Sequence, residues 1–365
     1  MKIADIINAL ENIAPPVLQE DYDNAGLITG NAKWDCTGVL CSLDATENIV
    51  DEAKALNCNL VVAHHPIVFK GLKKITGKNY VEKTIINAIK NDIAIYAIHT
   101  NLDNVIEGVN NKMADKLNLI NRKILLPKEN MLMKLYTFVP VEQSEKVRAA
   151  MFNAGAGFIG KYSECSFNAE GKGTFKAGDD TGPFVGEKNI LHEENEVKVE
   201  VVFPSYLRKN IIDALIKVHP YEEPAYDIIS LSNEFVKTGS GLFGELEKET
   251  TEDEFLVMLK NAFHLTVIRH TELLQKPVKK IALCGGAGSF LIDKAIAVNA
   301  DFYITADVKY HEFFDANNKT VIADIGHWES EQFTIELLHE VLQAKFPNFA
   351  VLKTKTVTNP VRYFV

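Results

Sequence analysis

The 365-residue sequence lacks the features that mark secreted, membrane-spanning and disulfide-stapled proteins. Its five cysteines are odd in number and include no C-x-x-C pair, so we expect reduced thiols in a cytoplasmic protein. No apolar run approaches the length of a transmembrane helix, which predicts no membrane partner. The N-terminal segment is amphipathic and carries acidic residues, unlike a signal peptide.

An excess of positive charge is also missing. The formal net charge is −10, with 49 acidic and 39 basic residues, and this balance argues against a broad nucleic-acid interface. It leaves room for a small anionic substrate held at a metal ion. The composition, 47% hydrophobic and 24% charged, is that of an ordinary globular protein, and the length predicts two or three domains.

The strongest local signal is the segment 59–70, which reads NLVVAHHPIVFK. The apolar residues Leu60–Ala63 predict a strand buried on both faces, as in a parallel sheet. Pro66 cannot continue that strand, so His64 and His65 are predicted at its carboxyl end, where open α/β sheets place their ligands. Two hydrogen-bonded histidines at the edge of the core would also explain the pair, but a pair at a strand end favours metal ligation.

Predicted strands and helices alternate up to residue 129, which indicates a mostly parallel sheet covered by helices. From 130 to 232 the order becomes β-α-β-β-α-β, typical of an inserted ferredoxin-like domain. Alternation then resumes from 233 to 365. There DKAIAVNADFYIT, at 293–305, aligns without a gap with DEAKALNCNLVVA, at 51–63. The sequence therefore predicts an α/β fold of two related halves, separated by an insert.

Two further motifs follow predicted strands in the same way as the histidine pair. Asp103 lies in HTNLD, just past an apolar strand, and GHWESE places His327 and Glu331 just past another. A helix that begins at His327 would put both residues on one face, a spacing that suits a metal ion. Taken alone, this pair would more simply be a surface ion pair at a helix start. Its position at another strand end of an α/β sheet favours metal ligation.

Together the three motifs offer three imidazoles, two carboxylates and no thiolate. A closed structural zinc site more typically uses cysteines and four ligands, and five ligands are one too many for a single open site. They suit two divalent ions per chain, such as zinc, iron or manganese, that share a bridging carboxylate. Such a site keeps net positive charge, and we expect it to attract phosphate or hydroxide.

Several other residues are secondary candidates. The GGAGS segment, which begins at Gly285, could cradle an anion, although a plain turn from strand to helix needs the same glycines. Asp307 and His311, in TADVKYHE, lie at the position in the second half that corresponds to the histidine pair. His311 is either a catalytic proton donor to the leaving group or a histidine on a helix surface. His99 and Asp324 are predicted to orient metal ligands. The HPYEEP segment at 219–224 is predicted to be a rigid turn rather than a second ligand loop.

Six motifs in order, DNAGLITG, AHHPIVFKGLK, HTNLDN, GGAGS, TADVKYHE and GHWESE, resemble those of the Nif-three-like family, often called GTP cyclohydrolase I type 2 homologues. The resemblance spans the whole chain and includes the HPYEEPAYD motif of the insert, as in the long bacterial form. It implies a toroidal homohexamer and an insert that is PII-like. It also implies a dinuclear metal site with ligands at His64, His65, Asp103, His327 and Glu331.

Two functions from different classes are compatible with these features. The first is a metal-dependent hydrolase for a nucleotide-like or phosphate-bearing small molecule, in which an activated water attacks phosphorus or carbon. In this scheme the GGAGS segment holds the anionic tail of the substrate. The second is a regulatory or scaffold protein that senses a ligand through its metals and its insert. Turnover would support the hydrolase, and saturable stabilisation without turnover would support the sensor.

Overall fold

The structure, a computed structural model, describes residues 1–364. The chain forms two compact units. The first, here called the α/β unit, combines Met1–Pro127 with residues 236–364, and the second, the inserted unit, is Lys128–Phe235. None of the helices described in either unit is long and apolar enough to cross a bilayer.

The first sheet of the α/β unit consists of five strands: β1 (Gly26–Thr29), β2 (Val39–Ser42), β3 (Leu60–Ala63), β4 (Ala94–Ala97) and β15 (Val351–Lys353). Their order is β1-β4-β3-β2-β15, and only β1 runs antiparallel to its neighbour. The N-terminal part of the chain also contains five helices: α1 (Ile3–Glu11), α2 (Glu47–Ala55), α3 (Tyr80–Lys90), α4 (Thr100–Asp103) and α5 (Val109–Lys116). Strands β2, β3 and β4 are fully buried, and apolar residues of α2 and α3 pack against them.

The second sheet of the α/β unit consists of six strands: β5 (Ile120–Pro127), β10 (Gly239–Thr250), β11 (Arg269–His270), β12 (Val278–Ala287), β13 (Phe302–Ala306) and β14 (Val321–Asp324). Their order is β11-β14-β13-β12-β10-β5, with β12, β13 and β14 parallel. The helices of this part are α8 (Glu252–Ala262), α9 (Ile292–Ala297), α10 (His327–Glu331) and α11 (Thr334–Lys345). Phe255, Phe263 and Phe302 are fully buried in the core against the sheet.

Each sheet of the α/β unit contains a run of parallel strands, β15-β2-β3-β4 in one and β12-β13-β14 in the other. The predicted α/β architecture is confirmed, whereas the common origin of the halves stays a prediction. The sheets also exchange strands along the sequence. Strand β15 of the C-terminal part completes the first sheet, and β5 of the N-terminal part completes the second. Sequence alternation did not predict this exchange, because pairing between distant strands leaves no periodic signal.

The inserted unit contains β6 (Leu132–Pro140), α6 (Ser144–Asn153), β7 (Ser166–Lys176), β8 (Leu191–Pro204), α7 (Arg208–Val218) and β9 (Tyr226–Leu231). This is the predicted β-α-β-β-α-β order. The sheet order is β7-β8-β6-β9, with every neighbouring pair antiparallel. Alternate residues of β8 pack against α6 and α7, so both helices cover the same face of the sheet.

Five short 3-10 helices complete the described chain: Pro16–Leu18, Val141–Gln143, Ser205–Leu207, Ser289–Leu291 and Tyr310–Ala316.

Candidate metal centre

The five predicted ligands come together in the α/β unit. His64 and His65 directly follow β3, where the chain leaves the sheet, and Asp103 is the last residue of α4, which follows β4. The predicted helix at GHWESE is confirmed, because α10 begins at His327 and ends at Glu331. Its geometry brings His327 Nε2 to 3.2 Å from Glu331 Oε2. Three strand ends of two sheets therefore supply one cluster.

The two carboxylate oxygens of Glu331 face different partners. Oε2 lies 2.9 Å from His65 Nε2 and 3.2 Å from His327 Nε2. Oε1 lies 3.8 Å from His64 Nε2, which is itself 3.6 Å from Asp103 Oδ1. The residues thus form two groups that each fit around one ion and share Glu331. We call them the His64 triad (His64, Asp103, Glu331) and the His65 triad (His65, His327, Glu331).

Each of the three imidazoles is held by a hydrogen bond from its Nδ1 to an oxygen outside the triads. The acceptors and distances are Ile98 O at 2.9 Å for His64, Asp44 Oδ1 at 2.8 Å for His65, and Asp307 Oδ2 at 2.7 Å for His327. Donation from Nδ1 leaves the lone pair on Nε2, the atom that faces the cluster. The acceptors therefore select the tautomer that binds metal ions and aim it at the site.

The His65 triad needs a positive charge at its centre. The two Nε2 atoms of His65 and His327 are 3.3 Å apart, and both face the anionic Glu331. Burial disfavours charge on His65, but Glu331 and Asp44 outweigh it and raise the pKa of His65 to about 10. Burial is likewise outweighed at His327, where Asp307 and Glu331 raise the pKa to about 11. Protons or a metal cation can supply the charge that this geometry favours.

The His64 triad contains two buried polar atoms without a hydrogen-bond partner, His64 Nε2 and Asp103 Oδ1. Leaving such an atom unpaired costs about 1–3 kcal/mol, so two unpaired acceptors side by side need an explanation. Burial and the negative charge of Glu331 raise the pKa of Asp103 to about 7. A divalent cation between these atoms would satisfy both of them and would offset the repulsion between the two carboxylates. The donor set therefore fits a metal ion.

The glycines of the GGAGS segment have a different role from the predicted anion cradle. Gly285 and Gly286 lie in β12, and their N–H groups already donate to Asn110 Oδ1 and Ser330 Oγ, each at 2.9 Å. Gly286 has φ +62°, and a Cβ atom there would lie 2.4 Å from Glu331 Oε1. The segment therefore makes space for the carboxylate of Glu331, and these two N–H groups are not free to bind an anion.

Two other histidines differ in their relation to the triads. His311 is exposed, and its ring contacts Tyr310 and Phe314 rather than any predicted ligand, so its catalytic role stays a prediction. The ring of His99 lies 5.2 Å from that of His64 and 5.4 Å from that of His65. A nitrogen of His99 is close enough to His64 and His65 to join them around one ion.

Two acidic residues, Asp23 and Asp324, support the site from outside. Asp23 Oδ1 accepts from His99 Nδ1 at 2.8 Å, so the DNAGLITG motif fixes the ring of His99. Asp324 accepts from the N–H groups of Val308 and Gly326, and so shapes the loop that leads into α10. The role of Asp324 is thus to hold the backbone next to His327.

Sequence reasoning missed Asp44, and it placed Asp307 at a strand end without assigning it a contact to His327. Both follow the ends of buried strands, β2 and β13, which is the criterion that singled out Asp103. Applied to every strand of the predicted sheets, it would have found Asp44 as well. Asp307 also has φ +55°, a left-handed conformation that is uncommon outside glycine and often marks a functional position.

A cavity of about 530 Å³ opens beside the His65 triad, with His65 and His327 on its wall. Phe69, Arg269 and Tyr363 also line it. Its volume lies within the range of sites that bind small molecules. The guanidinium of Arg269 is 2.9 Å from Asp324 Oδ2 and is more than half exposed.

Known proteins resemble this chain over nearly its full length. A family model described as DUF34/NIF3 (NGG1p interacting factor 3) matches residues 1–360. The chain belongs to this family. Among its DUF34/NIF3 relatives, a GTP cyclohydrolase 1 type 2 homolog of Halalkalibacterium halodurans is 38% identical over 371 residues, which cover 100% of both chains. The Bacillus subtilis protein of the same name is 37% identical over 364 residues, 98% of this chain and 97% of its own.

Solved structures of the family share the fold. A Bacillus cereus protein related to NIF3 has a TM-score of 0.88 and 36% identity, and the match covers 100% of this chain and 99% of that one. A Staphylococcus aureus protein has a TM-score of 0.79 and 28% identity at the same coverage. The match over full length confirms the predicted family and fold class.

Proposed function

We propose that the protein is a dinuclear metal-dependent hydrolase that acts on a nucleotide-like or phosphate-bearing small molecule. The observation that carries this proposal is the division of the cluster by Glu331, whose two oxygens face separate triads. A carboxylate in this position suits two ions that share it as a bridge. The unpaired His64 Nε2 and Asp103 Oδ1 support a cation in the His64 triad, and the close Nε2 pair supports one in the His65 triad.

In this proposal the five ligands hold the ions and do not carry protons. Asp44, Asp307 and the Ile98 carbonyl keep three imidazoles in the tautomer whose Nε2 is free. The chemistry that two bound divalent ions supply is a water of lowered pKa and a positive charge opposite the developing oxyanion. Oxygen and nitrogen donors without thiolate suit zinc, iron or manganese.

The cavity beside the His65 triad supports a small-molecule substrate. Because His65 and His327 form part of its wall, a ligand in the cavity would lie next to that triad. The proposed metal ions would attract an anionic substituent, and the aromatic rings of Phe69 and Tyr363 offer faces on which a planar base could stack. These features favour a molecule that carries both an anion and a ring.

His99 is better placed than His311 for proton transfer in this scheme. Its Nδ1 is held by Asp23, and its ring lies against those of His64 and His65. The proposal therefore assigns the proton carrier to His99, and it keeps His311 as a comparison. Replacement of His99 by Gln should lower kcat at least about a hundredfold, the lower end of the range for general acid–base groups, with less effect for His311→Ala.

The direct test is an activity screen of protein loaded with zinc, iron or manganese against nucleotides and phosphoesters. GTP belongs in the panel because the relatives carry the name GTP cyclohydrolase 1 type 2 homolog. We expect turnover that a chelator abolishes and that His65→Ala eliminates, whereas the exposed His270→Ala behaves as wild type. Hydrolysis that continues unchanged after chelation and in His65→Ala would contradict the proposal.

The family resemblance also implies a toroidal homohexamer, which stays a prediction. Light scattering on the purified protein measures the mass directly. A hexamer of the 40.7 kDa chain would give about 244 kDa, six times the chain mass.

A further inference from the structure

The inserted unit contains a second cavity, of about 800 Å³, that the proposed hydrolase does not use. It is bordered by β6, β7 and β8, by the loop residues 177–184, and by the HPYEEP segment. Because the sheet packs its other face on α6 and α7, this side is free to form a site. All lining residues belong to the inserted unit, so the cavity is independent of the metal centre.

Small residues on β7 create the room in this cavity. Gly171 pairs with Glu196 of β8, and Ala169 pairs with Lys198, so all four side-chain positions share the face away from the helices. Gly173 is on the same face, and a Cβ atom there would lie 2.1 Å from Glu196 Oε2. The carboxylate of Glu196 therefore extends over glycine at the floor of the cavity.

One wall of the cavity is aromatic. Tyr221, from the HPYEEP segment, lies 6.0 Å from Phe175 and 6.5 Å from Phe184, measured between ring centroids. Phe138 also lines the space. Aromatic rings bind apolar groups through their large hydrophobic surface. Their faces also carry negative charge density, which attracts cations.

Acidic side chains predominate among the charged residues of the lining, which are Glu170, Asp180, Glu196, Glu222, Glu223, Lys172 and Lys198. Both lysines already pair with glutamates outside the lining, Lys172 with Glu193 and Lys198 with Glu200. Within residues 1–364, no salt bridge is formed by any of the five acids. Glu196 is only 7% exposed, and its negative charge at the cavity floor is poorly screened by water.

The HPYEEP segment forms a rigid wall rather than a metal-binding loop. His219 Nε2 donates to Phe138 O at 3.0 Å, and its Nδ1 accepts from the Tyr221 N–H at 3.1 Å. This histidine is therefore neutral with both nitrogens occupied. Tyr221 Oη donates to Glu196 Oε1 at 2.6 Å, and Glu222 accepts from the Gly182 N–H at 2.9 Å. These bonds hold the acids and the aromatic ring in place before any ligand arrives.

We propose that this cavity binds a small organic cation, a protonated amine or guanidinium attached to an apolar or aromatic body. The carboxylates would neutralise the cationic group, and the four aromatic rings would contact its body. Charge complementarity decides the occupant, because an anionic ligand would meet five carboxylates and two lysines that are already paired. The proposal does not rest on the hydrolase, since it concerns a separate cavity in the other unit.

The test is isothermal titration of the full chain with a matched set of probes: 2-phenylethylamine, the neutral 2-phenylethanol and the anionic phenylacetate. Benzamidine and agmatine extend the set to guanidinium-type cations. We expect saturable binding of at least one cation. The neutral and anionic analogues should bind at least about tenfold more weakly than that cation. The same titration on His65→Ala should give the same affinity, which separates this cavity from the metal centre.

Variants then locate the site. Glu196→Gln and Phe184→Ala should each weaken binding of the cation about three- to thirtyfold, the range of a cation–aromatic or charge contact. The matched control is Asp213→Asn, an exposed acid on α7 that pairs with Lys209 outside the cavity. Circular dichroism and melting curves show whether each variant folds. Equal affinity for phenylethylamine and phenylethanol, no effect of either cavity variant, or no cation bound at millimolar concentration would overturn the proposal.

Discussion

Replacing Asp44 by Asn tests whether the groups around the ligands matter to the metal centre. Asp44 Oδ1 accepts from His65 Nδ1 at 2.8 Å, and Oδ2 accepts from Thr358 Oγ1 at 2.5 Å. An Asn side chain has the same shape, and its amide can donate to the Thr358 hydroxyl while its oxygen still accepts from His65. The substitution thus removes a charge and keeps the packing.

The expected loss of metal affinity follows from the hydrogen bond between Asp44 and His65, which the substitution weakens. A hydrogen bond to a carboxylate is about twice as strong as one to a neutral amide, and it makes the imidazole a better donor to a metal ion. Losing such a partner typically costs 10- to 100-fold in metal affinity, or about 1.4–2.7 kcal/mol. Because His65 belongs to one triad, the loss should fall mainly on one of the two ions.

The assay is a competition titration with a chromophoric chelator, combined with elemental analysis of metal per chain. Asp307→Asn should weaken the same ion, because Asp307 holds His327 of the same triad. Asp51→Asn is the control, since this exposed acid on α2 bonds only the Asn87 amide among the described residues. If Asp44→Asn binds both ions as tightly as Asp51→Asn does, Asp44 does not orient His65 for metal binding.

Three further perturbations probe other parts of the structure. Gly286→Ala should displace Glu331 and lower metal content, because its Cβ would lie 2.4 Å from Oε1, whereas Gly71→Ala, with open space around it, should bind metal normally. Hydrogen bonds from His99 and Thr100 outweigh burial and lower the pKa of Asp23 to about 2, so this carboxylate stabilises the fold above its unfolded pKa of 3.8. In urea unfolding, Asp23→Asn should cost about 2 kcal/mol at pH 7, and the difference should shrink as the pH falls from about 4 towards 2. Deletion of Lys128–Phe235 with a short linker should leave a folded, metal-binding α/β unit, because Pro127 and Gly239 are paired neighbours on β5 and β10; insoluble products from several linkers would contradict this.

The sequence predicted the parts of the fold that depend on local periodicity. Strands β2, β3 and β4 are continuous apolar runs between helices, so their burial and their parallel arrangement could be anticipated. The return of β15 to the first sheet could not, because three residues near the C-terminus carry no signal about a partner more than 300 positions away. The antiparallel strands β10 and β5 were missed for the same reason.

The candidate site shows the same division between local and distant information. His64, His65, Asp103, His327 and Glu331 were identified because each follows a strand end, and the structure brings all five together. The way in which Glu331 divides them between two triads depends on side-chain angles that no spacing reveals. The expectation that the GGAGS segment binds an anion meets the same limit. Glycines that leave space for a carboxylate side chain and glycines that bind an anion through their N–H groups look alike in sequence. Only the hydrogen-bond partners of those N–H groups distinguish the two.

The most direct test of the proposed dinuclear centre is an anomalous diffraction experiment on crystals of the metal-loaded protein. We predict two peaks per chain, one between His64 and Asp103 and one between His65 and His327, each about 2.0–2.2 Å from a different oxygen of Glu331. In Glu331→Gln crystals, both peaks should weaken or disappear because the shared charge is lost. A single peak, peaks away from these residues, or full occupancy of both positions in Glu331→Gln would contradict a site bridged by this carboxylate.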